Sequence, residues 1–183
     1  MNNLVTIAPP KPNENEETGT NVKRFLSMRG TLMMKEFRDV NVIKCEYGKK
    51  INIATVIIST MATTTKRSEI RYGIKFEALD EDGQDAGTAF MDFDEFDELI
   101  SALEYINKLA QEMFNQQRDY TEVHFITKDN IKFGFFQQEG RQLGFIELDN
   151  YRGHAFLSLP MLDFVRKNVV FAKDFLLSKG ATV

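Results

Sequence analysis

Hydrophobic and polar positions alternate cleanly along residues 69–79. Ile70, Tyr72, Ile74, Phe76 and Ala78 fall on one side, and Arg71, Lys75 and Glu77 on the other. A period of two with this contrast predicts a half-buried antiparallel strand. Just upstream, residues 51–60 are dense in β-branched side chains and predict a buried strand. Gly48-Lys49-Lys50 forms the turn before it. Earlier still, an ordered stretch opens at Val22 and is broken at Gly30, and two strands are read, over 32–34 and 40–47. Residues 61–68 are polar, Thr-rich and basic, which predicts a loop or exposed hairpin end. Asp80-Glu81-Asp82-Gly83-Gln84-Asp85 is a turn, and 87–91 the returning strand.

The period then changes. Phe96, Leu99, Ile100, Leu103, Ile106, Leu109, Ala110 and Met113 follow three-and-four spacing, which predicts an amphipathic helix over 94–117. Asp92-Phe93-Asp94-Glu95 fits a capping box at its start, and the acids Asp94, Glu95, Asp97 and Glu98 suit the positive end of the helix dipole. The same order follows again. Strands are read over 120–127, 131–137, 143–148 and 155–157, with turns at Asp129-Asn130 and Glu139-Gly140. Ser158-Leu159-Pro160 opens a last helix that runs to Lys179 and stops at Gly180. Its apolar residues, with Phe164, Phe171 and Phe175 beside the main stripe, cover more than one side. Such a helix must be covered, either between two sheets or at a subunit contact such as a homodimer.

The two endings superpose at one constant offset. Gly87/Gly153, Ala89/Ala155, Phe90/Phe156 and Asp97/Asp163 are identical. Met91/Leu157, Phe93/Leu159, Phe96/Leu162, Leu99/Val165, Leu103/Val169 and Leu109/Phe175 agree in apolar character. The expected class is α+β, with two related units, each a mainly antiparallel meander sheet followed by one long amphipathic helix. The units span 22–117 and 118–183, packed as one globular body, behind a disordered tail at 1–21 rich in Pro, Asn and Glu.

At 183 residues the chain is long enough to bury a core without a staple. Its single Cys45 excludes an internal disulfide and a cysteine-based metal cluster. A net charge of −4 means that any nucleic-acid surface must be a local patch. Sixteen Phe and no Trp point first to core packing. Residues 1–10 lack the basic flank and apolar run of a signal peptide, and no stretch reaches membrane-spanning length. The expectation is a cytoplasmic protein if Met1 is the native start, and an exported, periplasmic one if an upstream signal was removed.

The search for chemistry is mostly negative. Neither His124 nor His154 has a second His or Cys at ligand spacing. In the acidic turn Gly83 comes fourth and Met91 twelfth, which departs from a calcium-loop pattern. The acids of 92–98 are accounted for by capping and dipole effects, and a metal-assisted enzyme built on them is the weakest of three readings. No nucleophile elbow, phosphate loop, dinucleotide fingerprint or His-Glu-x-x-His is present. The expectation is no enzyme and no cofactor. One surface remains. Arg71, Lys75, Lys132, Phe136 and Arg141 could hold phosphates and stack bases. Alternation argues for a different arrangement, with buried aromatic rings and a charged outer face, because on 131–137 only Phe136 joins the basic side and on 69–79 the aromatics lie opposite the basic residues.

Two resemblances follow from these residues. The duplicated strands-then-helix order, with Phe156-Leu157-Ser158-Leu159-Pro160 leading into an apolar helix, resembles the purine-rich-element-binding and whirly proteins. That resemblance implies single-stranded DNA or RNA binding by the sheets. Gly30 to Phe37, Tyr72 to Glu77, Met91 to Asp97, Thr121 to Phe125 and Lys132 to Phe135 are similar to a set of bacterial proteins of unassigned activity, often exported. It implies no catalytic or binding residues. The combined expectation is a binding or interaction module whose partner is a protein or small ligand rather than nucleic acid, with single-stranded nucleic-acid binding as the alternative.

Overall fold

The computed structural model describes residues 19–61, 68–116, 118–148 and 153–182. Most of the predicted tail, and the basic loop after Met61, lie outside the described residues. The chain is α+β: two four-stranded antiparallel sheets, each followed by a long helix. A short helix α1 (Asn21–Leu26) leads into β1 (Leu32–Lys44), β2 (Lys50–Met61), β3 (Ser68–Leu79) and β4 (Asp85–Asp92), paired in that order. Helix α2 (Phe96–Met113) follows. The second sheet is β5 (Tyr120–Ile126), β6 (Lys132–Gln138), β7 (Arg141–Glu147) and β8 (His154–Leu157), also in chain order, and α3 (Leu159–Ser178) closes the chain.

One expectation is corrected. Residues read as two strands form the single strand β1, bent by a bulge between Asp39 and Asn41. Its stretch 34–39 is exposed on both sides, so no alternation marked it as a strand. Helix α2 also ends at Met113, short of the predicted 117. The side-chain amides of Gln137 and Gln142 donate to the carbonyls of Gln116 (2.6 Å) and Ala110 (2.9 Å) at that end, satisfying groups that a longer helix would have used.

Helix α2 crosses to the second sheet, packing on β5 and β6, whereas α3 lies between the sheets, against β1, β2 and β3 of the first and equally against β7 of its own, and runs beside α2. The expectation that the whole apolar surface of α3 is covered is corrected, because Phe164 and Phe171 stay exposed. The inner faces of both sheets therefore share one core, and the rings of Phe76 and Phe133 meet across it at 5.3 Å. Internal duplication is visible in burial. Ala89/Ala155, Met91/Leu157, Phe96/Leu162, Leu99/Val165 and Leu103/Val169 are all buried, and so are Ile106/Ala172 and Ala110/Leu176 at the same offset.

The outer face of the first sheet is covered in part. Val22 and Phe25 of α1 form a second, small core with Val56 and Ile58, against which Phe90 packs. The capping box at α2 closes, with Asp92 N–H donating to Glu95 at 3.1 Å. Asp92 has an additional role: its carboxylate accepts from the backbone N–H groups of Asn21 (2.7 Å) and Val22 (2.9 Å), which pins the start of α1 to the sheet.

Candidate functional site

Strand parity divides the second sheet. Phe133, Phe135 and Ile146 point into the core and are buried. Glu122, His124, Phe136, Phe145, Glu147, His154 and Phe156 stand on the outer face, as the pairings His124↔Gly134, Gly134↔Phe145 and Phe145↔Phe156 require. A cavity of about 200 Å³ opens there, lined by Tyr120, Glu122, Phe136, Phe145, Glu147, His154 and Phe156. The expectation of a charged outer face is thus corrected for this sheet. β6 carries rings on both sides and β7 adds Phe145 on the outside, so alternation understated the outer set.

The rings form a corner. Phe136 lies nearly parallel to Tyr120 at 6.2 Å and edge-on to Phe156 at 5.8 Å. His154 is tilted 4.4 Å from Phe156. Tyr47, in the tight turn between β1 and β2, reaches across from the first unit to Phe156 at 6.3 Å. Gly134 has no substitute at the centre of this face: a Cβ there would sit 2.3 Å from the Val123 carbonyl oxygen. Phe145 stands opposite Gly134 and is buried despite its outward direction.

Two carboxylates border the rings. Glu122 accepts from the Tyr120 hydroxyl at 2.6 Å and lies 2.8 Å from His124 Nδ1. The Tyr120 bond holds the Glu122 carboxyl below its usual range and pushes the Tyr120 phenol up. Glu147 binds Lys132 at 2.7 Å, and that bond raises the lysine. Its other oxygen is 3.9 Å from His154 Nδ1, too far for a hydrogen bond. Burial lowers the His154 imidazole below its ordinary value. Its Nε2 is buried and meets no hydrogen-bond partner among the described residues. An unmet buried polar atom costs about 1–3 kcal/mol.

The five residues proposed from sequence for nucleic acid divide between the sheets. Arg71 lies on the covered face, its guanidinium 4.7 Å above the Phe25 ring, and Lys75 binds Glu77 at 2.8 Å. Lys132, Phe136 and Arg141 share the open face, with Lys132 tied to Glu147. The structure therefore does not assemble them into one basic surface. Sequence reasoning missed Tyr120, Glu122, Glu147 and Phe156, and treated His124 and His154 singly. The alignment of Phe156 with Phe90, combined with strand parity, is the signal that points to them.

The other acidic candidates are occupied. Asp92, Asp94 and Glu95 lie together, but Asp92 holds α1, Lys128 Nζ sits 2.8 Å from Asp94, and Glu95 accepts the Lys128 backbone N–H at 2.7 Å. Burial raises the Glu95 carboxyl. In the turn before β4, Asp80 accepts the N–H groups of Asp82 and Gln84, closing a tight turn. No helix of the described residues is long and apolar enough to cross a membrane. No protein-family model, curated protein or solved structure matches this chain.

Proposed function

We propose that this chain is a non-enzymatic binding module whose ligand face is the outer face of the second sheet. One observation carries this: two equivalent places are treated unequally. By strand register, Val56 and Phe90 of the first sheet correspond to Phe136 and Phe156 of the second. The first pair lies beneath α1, and the second lines an open cavity. Wetted apolar surface costs about 25 cal/mol per Å² relative to burial, and apolar recesses with a few convergent polar groups favour ligands.

The lining narrows the ligand. Ring faces are electron-rich and attract cations, and the carboxylates of Glu122 and Glu147 add negative charge. α1 supports this by analogy: on the equivalent face of the first sheet it packs Val22 and Phe25, with Lys23 and Arg24 beside them. The fitting ligand brings an apolar or aromatic group next to a cation, as a basic peptide segment does. The test is an isotope-edited NMR titration with a Lys-Phe peptide amide and its Glu-Phe counterpart. The basic peptide is expected to shift Tyr120, Phe136, His154 and Phe156, and to weaken on Glu122→Gln. Shifts confined to another surface, such as the cavity beside Phe114 and Gly140, or no shifts at all, overturn the proposal.

A second reading rests on Tyr120, Phe136 and Phe156 sharing this face with Lys132 and Arg141. Bases could stack there while the cations meet phosphates. A single-stranded oligonucleotide that binds at low salt, and weakens with added salt and with Lys132→Ala, would put this reading in place of the first.

A further inference from the structure

β1 is an edge strand of 13 residues, paired only with β2 among the described strands. Edges this long are normally blunted, because their free N–H and C=O groups template pairing with another chain. This edge carries charges and a bulge of the kind that disfavours unlike strands, and its charges are matched to themselves. Residues 34–39 are all exposed, and Phe37 keeps 49% of its surface. Lys35, Glu36, Arg38 and Asp39 surround Phe37 with charges of opposite sign at mirrored distances. None of the four makes an ion pair within the described chain, and Arg38 rests its guanidinium 4.2 Å over the Phe175 ring.

We propose that two copies of this chain pair antiparallel through β1, about a two-fold axis at Phe37. Antiparallel pairing centred on one residue sets each neighbour against its mirror. Lys35 faces Asp39 of the second copy on the outer side, and Glu36 faces Arg38 on the inner side. The axis repeats both pairs, and the two Phe37 rings meet at the centre. Parity agrees, because Lys35, Phe37 and Asp39 share one face of the strand, and Glu36 and Arg38 the other. The bulge begins at Asp39, so the matched segment lies wholly within regular strand. The product is one continuous sheet of eight strands with closed two-fold symmetry. It leaves the ring-lined cavity free, since that lies on the other sheet.

Sedimentation equilibrium on the 183-residue chain tests this. The expected species is a dimer. Lys35→Asp and Asp39→Lys each set like charges opposite one another twice, and each should raise the dissociation constant about tenfold. An equimolar mixture of the two variants should recover the dimer, because its opposed charges are again complementary. Both positions are exposed, so circular dichroism should show each variant folded. A monomer at all concentrations, or a dimer indifferent to both charge reversals, overturns the proposal.

Discussion

Phe90 and Phe156 occupy the same place in the two halves of this protein, both half-buried, one packed against the α1 cluster and one lining an open cavity. Each sits on the last strand of its sheet, opposite Lys75 and Phe145 respectively. Helix α1 packs over the region of Phe90, whereas Phe156 contributes to a cavity wall. Duplication supplied two similar faces, and the N-terminal segment covers only one of them.

The cover depends on Asp92. Its carboxylate is nearly buried and accepts both N–H groups at the start of α1. Hydrogen bonds to a charged group are worth about 1.5–3 kcal/mol each, so losing both in Asp92→Ala should lower unfolding stability by about 3–6 kcal/mol in urea denaturation. Ser158 holds the equivalent cap position before α3 and makes no side-chain cap bond. Ser158→Ala should stay within about 0.5 kcal/mol of the parent.

Gly134 sets the approach of β5 to β6. An added methyl group would meet backbone at Val123 and His124, which cannot give way as a flexible side chain would. Gly134→Ala should cost about 3 kcal/mol by the same denaturation measurement and should broaden the Phe136 and Phe145 resonances.

His154 makes stability depend on pH. Burial lowers its folded-state value below the ordinary 6.5, so the unfolded chain binds more protons across the window between the two values. Stability is therefore complete above about pH 6.5 and declines as the pH falls through that window. Melting temperatures measured from pH 7.5 down to 5 should drop less steeply in His154→Gln than in the parent.

Cys45 should be chemically quiet. Burial pushes its thiol up to about 11, leaving on the order of one thiolate in a thousand at pH 8. Reaction with a disulfide reagent at pH 8 should be slow in buffer and accelerate sharply in denaturant.

Much of the fold was legible in the sequence. The contrast along β3, the capping box at Asp92 and the aligned apolar positions of α2 and α3 all reflect local geometry with one buried side. β1 escaped because its exposed stretch has no buried side to impose a period. The exchange of α2 onto the second sheet escaped because a stripe shows that a helix is covered, not by what. The ring-lined face escaped for a related reason: β6 and β7 present Phe133 and Phe135 inward while Phe136 and Phe145 point outward, so apolar content alone suggested a core.

The most direct test compares binding of the Lys-Phe peptide to Phe156→Ala and to its counterpart Phe90→Ala, each first shown to be folded. The account predicts that Phe156→Ala loses affinity at least about tenfold, the scale of one aromatic contact, while Phe90→Ala binds as the parent does. Equal affinity in both variants, or loss only in Phe90→Ala, would contradict it.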